Sequence, residues 1–324
     1  MSSAEAVAAL VAAGGAHVPG LMDALEQRLR AVASGHGEVL GEHAVSTIAA
    51  GGKRLRPLLV FLAAGPDSGA SGEGLLRAGV AVELIHSATL VHDDVLDRAA
   101  LRRGRPTVMA SAGPAMATAT GDLLFSRAFA ELARNGRADQ VRVLSDASNA
   151  LAHGELLQRA DAWDASTTRE RYLRRCDLKT ARLFDAACRL GALQAGRSPD
   201  AFGAFGRRIG LAFQLLDDVL DVSGPPERTG KHRGTDLLDG TVTLPLILAR
   251  ERDPVLAGLE LREVRTPTDA ERVCAAIAAS GALESARTEA MEIVAAAKDG
   301  LPRLTPAQRG ALELVADGVV DRYA

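Results

Sequence analysis

The stretch AFGAFGRRIGLAFQLLDDVLDV, residues 201–222, carries the pattern that decides the fold and an acidic motif that points to the chemistry. Its apolar residues recur every three or four positions, which is the spacing of one face of an α-helix. These residues are Phe202, Phe205, Ile209, Phe213, Leu216 and Leu220. The acidic motif Asp217-Asp218-Val219-Leu220-Asp221 lies inside this apolar helical pattern. We therefore predict a helix over residues 201–222 that presents carboxylates.

The rest of the 324-residue chain repeats the helical spacing, and strand signals are scarce. Ala, Leu, Arg and Glu dominate, whereas alternating β-branched residues are almost absent. Paired Gly and Pro residues separate the helical segments, as at Gly65-Pro66 and Gly113-Pro114. The sequence predicts an all-α fold in which residues 1–324 form one helical-bundle domain. Residues 1–20 are a candidate disordered N-terminal segment.

Composition excludes several classes of function. The net charge of -3 gives no global basic field, so we expect no nucleic-acid partner. The three cysteines form no CxxC pair, which argues against a zinc site and a disulfide framework and fits a reducing cytoplasm. The N-terminus lacks the basic region of a signal peptide, and no apolar run approaches the roughly 20 residues of a membrane span. We expect a cytoplasmic protein.

A second acidic motif, His92-Asp93-Asp94-Val95-Leu96-Asp97, has the same DDxxD form as the first. On a helix the first and last aspartates of such a motif share a face, and the middle one lies about 100° round. The six carboxylates are Asp93, Asp94, Asp97, Asp217, Asp218 and Asp221. Two carboxylates about 6 Å apart repel by about 3 kcal/mol at an effective dielectric near 20, and a divalent cation removes that cost.

Ligands that are all oxygen favour Mg²⁺, which keeps several waters and is held by one or two carboxylates plus substrate phosphates. A single DDxxD motif is equally compatible with a solvated acidic face at a helix end. Two such motifs accompanied by cationic side chains favour a metal-bridged diphosphate. Arg offers a planar fork to phosphate oxygens and Lys a point charge. The accompanying cations are Lys53, Arg56, Arg102, Arg103, Lys179 and Lys231.

His86 lies seven residues before Asp93, two helical turns along the same face. A lone histidine on a buried helix face is usually a core residue. Its alignment with the carboxylates favours a contact with substrate, whereas His92 does not share that face and is interpreted as structural.

At these residues the chain resembles the trans-isoprenyl diphosphate synthases, also called polyprenyl synthetases. The resemblance runs from Gly51 to the C-terminus and is carried by many motifs in one order. They are GGKRLRP at 51–57, HDDVLD at 92–97, RRG at 102–104, Gly121-Asp122, Gly154-Glu155, Lys179-Thr180-Ala181, FQLLDD at 213–218, Gly230-Lys231, GTDL at 234–237 and TLP at 243–245. Each motif alone is weakly specific, and the combination is highly specific.

The resemblance implies an all-α isoprenoid synthase fold with a central active-site cavity and a Mg²⁺-dependent prenyltransferase. Such an enzyme condenses isopentenyl diphosphate with dimethylallyl, geranyl, farnesyl or geranylgeranyl diphosphate. It also implies two or three Mg²⁺ ions on the six aspartates and a homodimer. Residues implied to be catalytic are Asp93, Asp97, Asp217, Lys179, Lys231 and Arg102. Residues implied to bind substrate are Lys53, Arg56, His86, Arg102, Arg103, Lys179, Thr180, Gln214 and Lys231.

One departure from the family pattern is visible at Thr241, where many members have Lys. This puts one phosphate contact in doubt. Two other functions remain open. A terpene cyclase is disfavoured because aromatic residues are only 3% and a second DDxxD is present. A regulatory subunit of a heterodimeric synthase is disfavoured because such subunits lose aspartates, and both motifs here are complete.

Product length depends on residues along the helix that precedes the first motif. Helical geometry places Ile85 and Thr89 near the aspartate face, and the resemblance adds Ala88, where members that stop early have an aromatic residue. All-trans products of about six or more isoprene units are expected on this resemblance. Phe125 is a candidate for closing the tunnel earlier, so a geranylgeranyl or farnesyl diphosphate synthase is the alternative.

Overall fold

The computed structural model describes residues 3–34, 37–66, 72–224 and 232–321. Its α-helices are α1 Ser3–Ala13, α2 His17–Ala33, α3 Glu38–Ala49, α4 Leu55–Ala64, α5 Gly72–Leu96, α6 Val108–Ala133, α7 Ala138–Ala160, α8 Arg169–Cys176, α9 Arg182–Gln194, α10 Asp200–Ser223, α11 Thr235–Leu238, α12 Leu244–Arg252, α13 Pro254–Ala257, α14 Pro267–Ala279, α15 Ala282–Asp299 and α16 Pro306–Asp321. A π-helix covers Asp177–Ala181, and a 3₁₀ turn covers Leu261–Glu263. The strands β1 Leu101–Arg102 and β2 Arg105–Pro106 form a small antiparallel hairpin. The predicted all-α class is confirmed.

Helix boundaries follow from local chemistry. Helix α14 begins with a capping box, in which Thr266 and Asp269 each satisfy a backbone N–H of the other, and Pro267 occupies the first turn. Helix α6 is capped by the Thr107 hydroxyl, which accepts from the N–H of Ala110 at 3.0 Å. It kinks at Gly113, whose φ of 84° is non-helical.

Packing divides the chain into two compact units, of which the first contains Met1–Ser148, Leu183–Gly206 and Leu301–Val315. Its central element is α5, which packs against α2, α3, α4 and α6. By length and composition α5 could cross a membrane, but 78% of its most apolar window is buried inside the protein. We interpret it as a core helix.

The second unit contains Asn149–Arg182, Arg207–Gly300 and Ala316–Ala324. Within it α12 packs against α8, α13, α14 and α15. The apolar side chains Leu244 and Leu246 of α12 are fully buried. The prediction of one domain over residues 1–324 stays a prediction.

The expectation that residues 1–20 form a disordered segment stays a prediction. The structure describes this segment from residue 3 onward, with α1 and the start of α2, and Val18 is fully buried. The small residue Gly14 permits this packing, because a Cβ there would lie 2.6 Å from a methyl group of Leu62. The alanine-rich composition of this segment favours helix.

Candidate active site

The first aspartate motif lies where α5 ends. The helix stops at Leu96, one residue short of the motif's end, but the N–H of Asp97 still donates to the carbonyl of Asp93 at 2.8 Å. Asp93 and Asp97 therefore remain one helical turn apart, as predicted. Arg98, with a φ of 50°, then turns the chain out of the helix. Asp93 is half-buried and Asp97 is exposed.

Asp94 differs from its neighbours because it is buried and already paired. Its Oδ1 accepts from Nε of Arg102 at 2.8 Å, and its side chain is only 7% exposed. This ion pair attaches the β1–β2 hairpin to the end of α5. Asp94 is predicted as a metal ligand, and that role stays a prediction beside its ion pair with Arg102.

The hairpin turn directs Arg103. Arg103 and Gly104 both have positive φ values, 52° and 72°, which is the geometry of a tight type I′ turn. The guanidinium of Arg103 packs over Gly52 of the GGKRLRP loop, where a Cβ would lie 3.1 Å from Nη1. A side chain at position 52 would therefore push Arg103 away, which explains one glycine of the motif.

A cavity of about 50 Å³ opens beside this hairpin in the first unit. Among its lining residues are Gly51, Arg54, Glu83, His86, Ser87, Asp94, Arg102, Arg103 and Arg105. Three predicted substrate contacts, His86, Arg102 and Arg103, are thus brought together. The cluster is strongly cationic, as an anion-binding site requires.

Burial lowers the pKa values of His86 and Arg103 in this cluster. The pKa of His86 is well below its usual value, chiefly because of burial and then because of the charges of Arg56 and Arg103. His86 is therefore neutral at pH 7 and can both donate and accept hydrogen bonds. Burial also lowers the pKa of Arg103.

Arg56 and Lys53, the other predicted contacts of this group, do not line the cavity. The guanidinium of Arg56 lies 4.4 Å from the ring centroid of Phe184, and its Nε is buried without a hydrogen-bond partner. Burial lowers the pKa of Arg56 to about 10, and the charge of Glu83 opposes that shift. Lys53 is half-buried.

The second aspartate motif ends α10 in the second unit. Asp217 is exposed, and Asp221 is half-buried with its Oδ2 accepting from the N–H of Asp236 at 3.2 Å. Asp218 is buried, and burial followed by the charge of Asp236 raises its pKa to about 8.

A hydrogen-bond chain holds Asp218. The hydroxyl of Tyr172 donates to its Oδ2 at 2.7 Å, and the amide of Gln214 donates to its Oδ1 at 2.8 Å. Gln214 in turn accepts from the hydroxyl of Thr180 at 2.6 Å. Both oxygens of Asp218 thus accept a hydrogen bond, and its predicted role as a metal ligand stays a prediction. Tyr172 was missed, because an isolated tyrosine on a helix carries no signal.

Lys179 and Thr180 lie in the π-helix between α8 and α9. Single π turns inside helices are frequent at functional sites, because they redirect side chains. Nζ of Lys179 donates to Oε2 of Glu155 at 2.5 Å and to Oε1 of Gln158 at 3.1 Å. The lysine is thereby held by α7 in the second unit.

The predicted contact Lys231 lies outside the described residues, as do positions 225–230 around it. Thr241, the departure from the family pattern, is half-buried, and its N–H donates to the carbonyl of Asp236 at 2.8 Å.

Within residues 3–34, 37–66, 72–224 and 232–321, no three His, Cys, Asp or Glu side chains are arranged around a single point. Mg²⁺ does not need such a cage, because it takes one or two carboxylates and completes its shell with water and phosphate oxygens. The chemistry of Asp93, Asp97, Asp217 and Asp221, all oxygen donors, fits this ion.

The predicted chain-length residues occupy different environments. Ile85 and Ala88 are fully buried in α5. The hydroxyl of Thr89 donates to the carbonyl of His86 at 2.8 Å. Phe125 stacks on His92, with ring centroids 5.7 Å apart. Their role in chain length stays a prediction.

Comparison with known proteins matches this arrangement to one family. The sequence model of the polyprenyl synthetases matches residues 38–279. Heptaprenyl diphosphate synthase component 2 of Geobacillus stearothermophilus is 42% identical over 274 residues, which is 83% of this chain and 82% of that protein. The crystal structure of a decaprenyl diphosphate synthase from Rhodobacter capsulatus gives a TM-score of 0.87 at 34% identity, covering 95% of this chain and 98% of that one.

The crystal structure of polyprenyl synthase from Caulobacter crescentus CB15, complexed with calcium and isoprenyl diphosphate, also gives a TM-score of 0.87. It is 36% identical and covers 98% of both chains. The family model and the relatives cover well over half of the chain, and the paired aspartate motifs lie within the matched residues. The chain is therefore a prenyltransferase that belongs to the polyprenyl synthetase family.

Proposed function

We propose that this prenyltransferase is a long-chain trans-polyprenyl diphosphate synthase, which adds isopentenyl diphosphate head-to-tail to an allylic diphosphate. The observation that carries the proposal is the cavity in which His86, Arg102 and Arg103 converge beside the first aspartate motif. The named relatives support the product class: besides the heptaprenyl enzyme, octaprenyl diphosphate synthase of Escherichia coli K12 is 40% identical over 205 residues.

The proposed division of labour follows the charges. Lys53, Arg56, His86 and Arg103 bind isopentenyl diphosphate. Each aspartate motif binds Mg²⁺, through Asp93 and Asp97 in the first unit and through Asp217 and Asp221 in the second. When bound, these ions neutralise the allylic diphosphate as a leaving group. Calcium in the Caulobacter relative supports a divalent cation. Arg102 in the first unit, and Lys179, Thr180, Gln214 and Lys231 in the second, bind diphosphate oxygens.

The reaction breaks the allylic C–O bond, and diphosphate leaves with the electron pair. The isopentenyl double bond then attacks the allylic cation, a C–C bond forms, and a proton is lost to the diphosphate. Arg102 and Lys179 stabilise charge that develops on the departing oxygens, which is the largest contribution expected of such groups. His86 stays neutral and binds rather than removes a proton.

The assembly and the location are also part of the proposal. We propose a homodimer, and the name of the Geobacillus relative, component 2, favours a heteromer as the second candidate. Light scattering of the purified chain distinguishes a self-associating protein from one that needs another subunit. A cytoplasmic location is proposed because the three cysteines are free and buried.

Product length is the point on which relatives differ. Geranylgeranyl diphosphate synthase of Methanosarcina mazei is 36% identical over 283 residues, so a shorter product is the second candidate. The test incubates the purified chain with labelled isopentenyl diphosphate, Mg²⁺ and each allylic primer, and sizes the products. Products of about thirty carbons or more support the proposal, a twenty-carbon product supports the alternative, and no elongation with any primer contradicts both.

A further inference from the structure

The GGKRLRP loop contains three cations, of which Lys53 and Arg56 are proposed to bind isopentenyl diphosphate. Arg54 has no assigned role, yet both its side chain and its backbone are restrained. Its side chain is 6% exposed, and its backbone is left-handed, with φ 49° and ψ 35°. That conformation is unfavourable for a residue other than glycine, so other contacts must hold it.

Those contacts come from three helices. Nη1 of Arg54 donates to Oε1 of Glu83 on α5 at 2.7 Å. Nε and Nη2 donate to the two carboxylate oxygens of Glu26 on α2, at 2.6 and 3.3 Å. Nη2 also donates to the carbonyl of Ile48 on α3 at 3.0 Å. The guanidinium fork is therefore almost fully used, which fixes its position and the backbone it is attached to.

Glu83 is a buried carboxylate within the cationic cluster. Its side chain is 5% exposed, and it lines the same cavity as His86 and Arg103. Its charge favours the protonated forms of Arg56 and Arg103 as well as Arg54. A buried carboxylate among cations that bind an anionic substrate weakens the local field for that substrate. The presence of Glu83 at this point is explained if its carboxylate holds the neighbouring arginine side chains in place.

We propose that Arg54 and Glu83 are positioning residues for the isopentenyl diphosphate site. Their buried ion pair fixes the left-handed backbone at Arg54 and so sets where the flanking Lys53 and Arg56 present their charges. The inference rests on the proposed function. It predicts an effect confined to one of the two substrates, which a purely structural ion pair does not produce.

The first test replaces Arg54 with Lys. The lysine keeps the charge but cannot reach Glu26, Glu83 and Ile48 together. We expect the KM for isopentenyl diphosphate, and its Kd measured by calorimetry without allylic substrate, to rise about tenfold, equivalent to about 1.4 kcal/mol. The KM for farnesyl diphosphate should stay within about twofold of wild type.

The matched control is Arg28→Lys. Arg28 donates from Nε to Oε2 of Glu131 at 3.1 Å, and that carboxylate is 4% exposed, so the bond is of the same kind in the same unit. Arg28 does not line the cavity. We expect this variant to lower the melting temperature while both KM values stay unchanged.

A double-mutant cycle tests whether the two residues act together. Glu83→Gln should raise the Kd for isopentenyl diphosphate severalfold, and Arg54→Lys combined with Glu83→Gln should be no worse than Arg54→Lys alone. The inference is overturned if Arg54→Lys changes both substrates equally or neither, if Arg28→Lys shows the same split, or if the two effects multiply. Failure of wild type to elongate any primer would instead overturn the proposed function.

Discussion

Gly154 of α7 lies directly against the backbone of Lys179 in the π-helix. A Cβ on Gly154 would be 2.5 Å from the backbone nitrogen of Lys179 and 2.7 Å from its Cα. This close approach lets the next residue, Glu155, reach Nζ of the lysine. Gly154 and Glu155 therefore act together. The glycine allows α7 and the π-helix to approach closely, and the glutamate orients the ammonium group of Lys179.

Gly154→Ala should therefore damage both stability and activity. The atoms in the way belong to the backbone and cannot rotate aside, so we expect a loss of about 1–3 kcal/mol in the free energy of unfolding and at least a tenfold fall in kcat. Urea denaturation and steady-state kinetics measure the two effects. Gly20→Ala on α2, where no atom lies within 4 Å of the new Cβ, is the control and should be neutral or slightly stabilising. A fully active Gly154→Ala enzyme would contradict the role of this contact.

Asp93→Ala and Asp217→Ala should each reduce kcat by about 10²–10³-fold or more, the scale of losing one charge-stabilising group. Neither change should unfold the protein, because removing one carboxylate relieves repulsion within its motif. Excess chelator should abolish turnover, and added Mg²⁺ should restore it.

The control for the aspartate variants is Asp146→Ala, an exposed carboxylate in the middle of α7. It should leave kcat and the Mg²⁺ requirement unchanged. If either motif variant turns over at the wild-type rate while folded, the assignment of that motif is wrong.

Tyr172→Phe should weaken the enzyme through Asp218. It removes the hydroxyl that donates to a buried carboxylate, at a cost of about 1–3 kcal/mol. We expect the Mg²⁺ concentration for half-maximal activity to rise, because the second motif loses its fixed middle residue. Thr180→Val, which acts one bond further away through Gln214, should have the same effect more weakly. An unchanged Mg²⁺ requirement in both variants would show that the chain of hydrogen bonds is only structural.

His86 should make the wild-type protein acid-sensitive. Its pKa in the folded protein is lowered, chiefly by burial, so below the unfolded pKa near 6.5 the unfolded state binds more protons and stability falls. At pH 5.5 this amounts to at most about 1.4 kcal/mol. His86→Gln lacks the effect, so the stability difference between variant and wild type should shift in the variant's favour from pH 7.5 to 5.5. A difference that is constant with pH would mean that the histidine titrates normally.

Larger side chains at position 88 should shorten the product in steps. Ala88 is fully buried in α5, so Val, Leu and Phe add increasing volume at one point, with a stability cost of about 1–3 kcal/mol for the larger ones. If the growing chain follows this helix, product length should fall stepwise along the series, as sized by chromatography. Folded Val and Leu variants that make the wild-type product would show that the chain does not pass Ala88.

The all-α fold was predictable from sequence, because helical periodicity is a local pattern, and the two DDxxD motifs mark the candidate site in the same way. What could not be predicted is how the members of each motif differ in burial and pairing. Asp93 and Asp94 are adjacent and chemically identical, and only packing shows that Asp94 is buried on Arg102 while Asp93 keeps access to solvent. In the second motif Asp217 is likewise exposed while Asp218 is buried.

Arg54 illustrates a second limit. In the sequence it is one of three cations in seven residues, and nothing marks it as different from Lys53 or Arg56. Its role depends on a left-handed backbone and on Glu26 and Glu83, which are distant in sequence. Tyr172 was missed for the same reason, because its partner Asp218 lies 46 residues away.

Thr89 is a polar residue whose hydroxyl is partly used by a hydrogen bond within its own helix. Its hydroxyl donates its proton to the carbonyl of His86 inside α5, so only the lone pairs of the oxygen remain for a water molecule. A hydrocarbon chain that grows along this helix would meet the methyl group of Thr89 and a hydroxyl whose proton is already donated to the backbone. The polarity of a residue that lines such a path therefore depends on which hydrogen bonds its side chain already makes. A path for a hydrocarbon chain can include a threonine whose hydroxyl proton is donated to the backbone.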